Sequence, residues 1–274
     1  MAQGLSILTN AGAMTALQQL NGTNKKLSTT QLRITTGLKV NGPKDDAATY
    51  QIATRLRGDI AGTKSVKTAL ANGEATVNVA ISAGKAISDL LIEMKAKIVQ
   101  ANQAGLDSAS RTALNNDFKA LRDQISTIVA TAEFNSTNLI ASGATNTSVL
   151  STVDGSVIDV SAQSMDTSTL GIASLDLTSS AGASTALTAI DSAITSVSDK
   201  LASLGSTANR IEVQTEFTTS LIDILTAGLG NLVDADMAEE AARLTALQVQ
   251  QQLGVQSLSI ANQAPSIILS LFQR

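Results

Sequence analysis

The stretch that decides the fold is "LTAIDSAITSVSDKLASLGSTANRIEVQTEFTTSLIDILTAGL", residues 187–229. Its apolar residues alternate spacings of three and four, the heptad pattern of helices that pack side by side in a coiled coil. The pattern holds without a slip through Leu187, Ile190, Ile194, Val197, Leu201, Leu204, Ala208, Ile211, Thr215, Thr218, Ile222, Leu225 and Leu229. At 1.5 Å per residue it predicts a helix of roughly 65 Å.

Three more segments before this one repeat the same spacing. The first contains Ala13, Leu17, Leu20, Asn24, Leu27, Gln31 and Ile34; the second contains Val77, Ala80, Gly84, Ile87, Leu91, Met94, Ile98 and Ala101; the third contains Leu114, Phe118, Leu121, Ile125, Ile128 and Ala132. Gly84 is the weak point of the second, because glycine contributes no side chain and lowers helix propensity.

Glycine, proline and aspartate mark the helix ends. "NGPKDD" at 41–46 ends the first helix, since Pro43 suits only the first turn of a new one. Gly105 ends the second helix, and Asp107 or Ser108 caps the third. In "GLGNLVDAD", Gly228 and Gly230 weaken the long helix and Asp234 caps the last one, which covers about 235–270 with Pro265 kinking or ending it.

The segment from about 135 to 185 differs in character. It is rich in Ser, Thr, Ala and Gly, and short β-branched runs such as "SVIDVSA" and "GIASLDL" predict short strands. No Lys or Arg occurs between Arg122 and Lys200, whereas eight Asp or Glu do. The predicted fold is mainly α: a long antiparallel coiled-coil helical hairpin or bundle, with a small β-rich insert in the middle of the chain.

Composition argues against catalysis. The chain of 274 residues has no His and no Cys, and aromatic residues make up 2% of it. It therefore has no imidazole base, no Ser-His-Asp triad and no thiolate nucleophile or ligand. We expect that the protein is not an enzyme. We also expect no catalytic residue, no cofactor-binding residue, no metal ligand and no cofactor.

Three motifs that could bind ligands have simpler explanations. "GLKVNGPKD" lacks the Ser or Thr and the preceding strand of a phosphate-binding loop, so we interpret it as a hinge. Asp234, Asp236, Glu239 and Glu240 lack the EF-hand spacing and fit helix capping. The basic cluster from Lys25 to Lys67 contains one aromatic residue, Tyr50. Salt bridges to acidic neighbours in a polymer are therefore favoured over nucleic-acid binding as the role of this cluster.

Both ends of the chain avoid charge. Residues 244–273 contain no charged side chain, and the first one in the chain is Lys25. The Gln, Asn and Ser side chains of 244–273 do not suit hydrocarbon, so we expect no membrane insertion. Two uncharged helices paired in water leave apolar faces exposed, and such surface marks an interaction site. Repetition of one heterologous contact would bury these apolar faces in a filament of many copies.

The sequence resembles bacterial flagellins in four motifs. "LRITTGLKVNGPKDDAATYQIATRLRGDIAG" (32–62) is similar to the family's R-I-x-x-G turn and K-D-D-A-A helix start. "TAEFNSTNLI" (131–140) is similar to its Q-F-N-G turn, and "LASLGSTANRIE" (201–212) to its L-G-x-x-x-N-R stretch. "DADMAEEAARLTALQVQQQLGVQSLSIANQAPSIILSLFQR" (234–274) is similar to its carboxy-terminal helix.

The resemblance implies a division into domains. Residues 1–40 and 235–274 would form an inner domain of terminal helices around a filament channel. Residues 44–135 and 186–230 would form a helical coiled-coil rod, with a β-turn or hairpin around 136–150. Residues 141–185 would form a small variable surface insert, whose Ser and Thr are as compatible with O-linked sugars as with a plain solvated surface.

The resemblance also implies the function: a structural subunit that polymerises into the extracellular flagellar filament, a propeller for swimming. Its partners would be copies of itself, the type III export apparatus, an export chaperone, and the cap and junction proteins. Export without a cleaved signal peptide agrees with the start of the chain, which has no basic and apolar leader. The expected polymer contacts are Leu17, Leu20, Leu27, Ile34, Leu247, Leu253, Leu258 and Ile268, and the expected hinge residues are Gly42, Pro43, Gly228 and Gly230.

Three alternatives compete with this function. A flagellar hook–filament junction protein shares the terminal helices but does not polymerise indefinitely. A secreted pore-forming translocator needs an apolar hairpin of membrane length, and an enzyme is the weakest option. Some enteric flagellins also carry an Arg-x-Arg-Glu-Leu element that an innate immune receptor recognises. Alignment on the shared V-Q-A places Glu93, Met94, Lys95, Ala96 and Lys97 there, which predicts weak or no recognition.

Overall fold

The computed structural model describes residues 9–272, and it describes side chains from residue 9 to residue 263. The helices in this part of the chain are α1 (Ala11–Thr36), α2 (Ala47–Ala101), α3 (Ser108–Thr131), α4 (Ser180–Val233) and α5 (Met237–Phe272). Strands β1 (Thr147–Leu150) and β2 (Val157–Val160) form an antiparallel pair. The predicted class, mainly helical with a small β insert in the middle, is confirmed.

The chain forms two compact units. Unit 1 comprises Met1–Gly58 and Leu225–Arg274, and unit 2 comprises Asp59–Ile224. The change from one unit to the other falls inside α2 and inside α4, so each of these helices contributes to both units.

Unit 2 is an antiparallel helical bundle. Lys95 Nζ on α2 lies 2.7 Å from Asp191 Oδ1 on α4, and further back along α2, Gly84 packs against Leu201. The residue number falls along α2 while it rises along α4, so the two helices run in opposite directions. Lys97 and Asp117, 2.8 Å apart, join α2 to α3 in the same way.

The core of unit 2 contains the predicted heptad residues. Val77, Ile87, Leu91, Met94 and Ile98 of α2 are 0% exposed. Phe118 and Ile125 of α3 and Ile190, Val197 and Ile211 of α4 belong to the same buried cluster. Gly84 also has a packing role that its spacing did not predict, because a Cβ there would lie 2.8 Å from Leu201 Cδ2. The missing side chain gives the neighbouring helix room to approach.

Residues 102–107 join α2 to α3. The Asp107 side chain accepts a hydrogen bond from Ser110 N, so the predicted cap is confirmed as Asp107. The buried Arg111 donates to the carbonyl oxygens of Ala101 and Gln103. These carbonyls follow the end of a helix and would otherwise lack a partner, so Arg111 closes the corner.

The insert contains fewer strands than predicted. "SVIDVSA" includes β2, but "GIASLDL" forms turns and irregular backbone, and α4 begins at Ser180. Leu170, Ile172 and Leu177 from this region are buried in the core of unit 2. Alternating apolar residues there fill the core from a loop, and that requires no partner strand. The strand prediction for this segment is therefore wrong.

Hydrophobic contact also holds the β hairpin on α2. A Cβ on Gly73 would lie 2.5 Å from Val149 Cγ2 and 2.7 Å from Val149 Cγ1. On the other side, Gln214 Nε2 donates to Ser151 O at 2.9 Å. The insert is thus packed on the helices of unit 2 and closes part of its core.

Unit 1 has a small core of its own. Val40, Ala53 and Val233 are buried there, with Leu38, Tyr50 and Leu229 packed against them. The backbone N–H groups of Lys39 and Val40 donate to Val233 O, and Ala235 N donates to Gly37 O. This core and these bonds join the two connections of unit 1, residues 37–46 and 234–236.

Aspartates begin two of the helices in unit 1. Asp46 accepts from Ala48 N, Thr49 N and the Thr49 hydroxyl, and these hydrogen bonds hold the pKa of Asp46 below its ordinary value. Asp236 accepts from Ala238 N and Glu239 N at the start of α5. The prediction of Asp234 as the cap of the last helix is therefore wrong, because α5 begins two residues later than expected.

The last helix also differs from the prediction at Pro265. The backbone of α5 continues past this residue to Phe272, so proline does not end the helix there.

One 18-residue window of α2 has a mean hydropathy of 1.3, so this helix could cross a membrane by length and composition alone. Ile87, Leu91 and Met94 of α2 are instead buried in the core of unit 2.

Candidate assembly surface

Three polar links align α1 with α5 in unit 1. Asn10 Nδ2 donates to Ala261 O at 2.6 Å, and Gln251 Nε2 donates to Asn24 Oδ1 at 2.8 Å. At the other end of the pair, Arg33 Nη1 lies 2.9 Å from Glu240 Oε1. The two helices are therefore antiparallel neighbours, and hydrogen bonds of amide side chains fix their register along a seam that carries little charge.

Among the described residues of unit 1, Arg33 and Glu240 form the most buried ion pair. The Glu240 side chain is 7% exposed and also receives Arg243 Nη1 at 3.4 Å. Burial alone would raise the pKa of Glu240, but hydrogen bonds from Arg33 and Thr30 and the charges of both arginines outweigh burial and lower it. The carboxylate stays ionised, and its pairing fixes the end of the helix pair nearest residues 37–46.

The predicted polymer contacts differ in burial within one chain. Leu247 is 6% exposed, and Leu20, Leu27, Ile34 and Leu258 are half-buried. Leu20 packs against Gly254 of α5.

Two of the predicted contacts are exposed to solvent in the single chain. Leu17 is 47% exposed and Leu253 is 57% exposed. The eighth predicted contact, Ile268, lies outside the residues whose side chains are described. Half-buried and buried leucines hold the helix pair together, whereas Leu17 and Leu253 are free to contact another molecule.

More exposed apolar residues lie on the same two helices, and sequence reasoning did not single them out. They are Met14 and Leu32 on α1 and Val249, Val255 and Ile260 on α5. Val249, Leu253 and Ile260 share one face, because spacings of four and seven return to the same side of a helix. That spacing lies inside a stretch without charge, so the sequence alone could have identified this face of α5.

The predicted hinge residues lie in different settings. Gly42 and Pro43 are in the connection between α1 and α2, and Asp45 Oδ2 accepts from Gly42 N at 3.1 Å. Gly228 and Gly230 lie inside the continuous helix α4, and a Cβ on Gly230 would lie 2.7 Å from Asp234 Oδ2. Bending at these four residues stays a prediction.

A groove of about 600 Å³ runs between α1 and α5, and basic side chains line it. Arg33 and Arg243 are engaged by Glu240, whereas Lys25 and Lys26 have no ion pair within the described part of the chain. Within the same part, no group of three or more His, Cys, Asp or Glu could hold a metal ion.

Unit 1 leaves an apolar face of a helix pair open, and unit 2 is a helical bundle with a buried core. These features are typical of a structural protein that self-associates. Comparison with known proteins identifies which. Residues 7–145 match the model of the bacterial flagellin N-terminal helical region, and residues 187–272 match that of the C-terminal helical region. The chain belongs to the bacterial flagellin family and is a structural subunit of the flagellar filament, as the resemblance implied.

Relatives cover the whole chain. Flagellin FljK of Caulobacter vibrioides is 44% identical over 269 residues, which is 98% of both chains. Flagellin C of Rhizobium meliloti is 36% identical over 321 aligned residues, 98% of this chain and 99% of the relative. These relatives are structural proteins.

One solved structure has a similar fold. A putative flagellar hook-associated protein from Vibrio parahaemolyticus has a TM-score of 0.58 over 69% of this chain and 100% of its own, at 15% identity. That likeness concerns the fold alone, and it does not favour a junction role for this chain.

Proposed function

We propose that the open faces of α1 and α5 are where each subunit packs against its neighbours in the filament. One observation carries this proposal: Leu17, Leu253 and Ile260 are 47%, 57% and 63% exposed on helices that carry few charges. Leaving so many large apolar groups in water has a free-energy cost that burial between copies removes. Gln, Asn and Ser beside them supply hydrogen bonds across the new contacts.

The domain roles follow from this contact. The terminal segments 1–40 and 235–274 form the inner layer around a channel, and the helices of 44–135 and 186–230 form the rod outside it. Residues 141–185 face outward. The coiled coil stiffens the filament, because long antiparallel helices with a close-packed core resist bending.

The partners and the location of the subunit complete the proposal. The chain leaves the cell through the flagellar export apparatus without a cleaved signal peptide, and it assembles outside the cell. An export chaperone covers its apolar termini before assembly, since exposed apolar surface otherwise aggregates. Cap and junction proteins contact it at the two ends of the filament.

Seeded assembly tests the proposal. Purified protein is dissociated to monomer, returned to neutral buffer with filament seeds and imaged by electron microscopy, beside a variant that lacks residues 244–274. We expect long tubes from the full chain and none from the truncated chain. Discrete short oligomers from both chains would contradict a filament role and favour a junction protein.

A further inference from the structure

An apolar stripe lies open on α4 in unit 2. We call Val213, Phe217 and Ile224 the α4 stripe; they are 59%, 59% and 67% exposed. Spacings of four and seven place them on one face of the helix. Phe217 is one of four phenylalanines in the chain. Phenylalanine usually contributes buried area to a core or to an interface, so its exposure in one subunit points to an interface.

Charge lies beside the stripe and on the neighbouring helix. Glu212, Glu216 and Asp223 are exposed on α4, and Lys64 and Lys67 are exposed on α2. These five residues have no ion pair within 4.0 Å in the part of the chain that the structure describes. Unit 2 therefore presents an acidic set and a basic set that do not neutralise each other within the subunit.

The two sets are level along the coiled coil. The contacts of Lys95 with Asp191 and of Gly84 with Leu201 give the antiparallel register of α2 on α4. Continued at equal rise on both helices, this register brings Lys64 to about the level of Leu221. The acids and the lysines of two neighbouring copies can therefore meet side by side without a large shift along the helix axis.

We propose that the α4 stripe and its three acids dock on Lys64 and Lys67 of a second copy of this chain. The inference rests on the proposed function and deepens it by naming one lateral contact of the filament. Lysine stems cover apolar surface while their ammonium groups reach the acids, and an ammonium over Phe217 adds a cation–π attraction. The contact joins two different patches, and repetition of such a heterologous contact builds an open polymer when its rotation does not close into a ring.

A second copy is the partner that the charges favour. Each subunit carries both halves of the contact, so every copy offers its acids to one neighbour and its lysines to another. Complementary charge also directs the register of encounter and disfavours like-charged pairings. In one subunit both halves remain solvated.

A charge swap tests the contact. One variant carries Glu212→Lys and Glu216→Lys, and the other carries Lys64→Glu and Lys67→Glu. Each variant alone juxtaposes like charges at the contact, so we expect its critical concentration in seeded assembly to rise roughly tenfold or more at low salt. An equimolar mixture pairs opposite charges again wherever the two variants alternate, so we expect it to assemble at nearly the wild-type concentration.

Matched controls separate this contact from net charge and from folding. Glu133→Lys with Asp89→Lys, and Lys85→Glu with Lys119→Glu, change the net charge equally away from the stripe; Glu133, Asp89 and Lys85 are exposed and Lys119 is half-buried. Far-ultraviolet circular dichroism of all the monomers checks that the helices are intact. Salt near 1 M should shrink the defect, because the Debye length falls to about 3 Å.

The outcomes distinguish this contact from the filament itself. Assembly of each variant at the wild-type concentration would overturn the contact and leave the proposed function standing. So would a mixture that assembles no better than its components. A wild-type chain that forms no polymer on seeds would overturn both.

Discussion

Two exposed side chains of α5 should govern assembly without governing the fold of the subunit. Leu253 is 57% exposed and Ile260 is 63% exposed in the single chain. Burying such a side chain completely contributes about 1.5–3 kcal/mol, so covering the exposed part contributes about 1–2 kcal/mol each. Replacement of both by Gln removes about 2–4 kcal/mol per subunit from assembly. Gln forms helices nearly as well as Leu, so α5 itself should persist.

The measurement is the critical concentration of seeded assembly. Filaments are sedimented at equilibrium and the protein left in solution is quantified. A loss of about 2–4 kcal/mol raises that concentration roughly 30- to 700-fold, because 1.4 kcal/mol corresponds to a factor of ten. We also expect circular dichroism and thermal unfolding of the monomer to stay close to wild type.

Val157→Gln is the matched control. Val157 is 49% exposed on β2, in the insert and outside the terminal helices. It should leave the critical concentration unchanged. If the Leu253→Gln, Ile260→Gln variant assembled as readily as the control, the open face of α5 would be solvated in the filament, and the reasoning from exposure to contact would fail.

Further substitutions test packing, electrostatics and recognition. Gly73→Ala should destabilise the monomer by about 1–3 kcal/mol, because the new Cβ would overlap the stiff Val149 side chain. Gly205→Ala should instead stabilise it by up to about 1 kcal/mol, because a Cβ there has no neighbouring atom within 4 Å. Denaturant titration of the two variants measures both changes. The pKa of Glu240 is lowered in the fold, so its stabilising effect is present above the ordinary glutamate pKa and lost as pH falls through the folded value. Thermal melting between neutral and acid pH should show this loss, and Glu240→Gln should reduce the pH dependence. Pure monomer should activate reporter cells that carry the innate receptor weakly or not at all, because residues 93–97 lack the recognised element; a strong response would contradict this.

Much of the fold could be predicted because heptad spacing records which side of a helix is buried. Ile87, Leu91 and Ile98 were predicted at the seam and are 0% exposed. Heptad spacing does not show where two helix backbones approach each other closely. The packing of Gly84 against Leu201 could therefore not be predicted from it. Apolar alternation around Ile172 likewise predicted a strand, although the same side chain fills the core from a turn.

Ends and exposed surfaces were harder to predict, for a physical reason. Asp234 and Asp236 are equally good caps by residue type, but backbone hydrogen bonds between residues 37–40 and Val233 and Ala235 hold this connection, and α5 begins after Asp236. The open face of Val249 and Ile260 depends on which side of α5 meets α1. Uncharged sequence indicated that an interface existed, but polar links such as Gln251 to Asn24 determine which residues are left for it.

The single tyrosine of the chain gives unit 1 an optical label of its own. Tyr50 packs against Val40, Ala53 and Val233 in the small core of that unit, and the chain has no tryptophan. Tyrosine emission and the tyrosine band of near-ultraviolet dichroism therefore originate in unit 1, while far-ultraviolet dichroism sums the helices of both units. A stopped-flow or melting experiment that records both signals can time the ordering of unit 1 separately from that of the whole chain, without an added dye or an engineered residue.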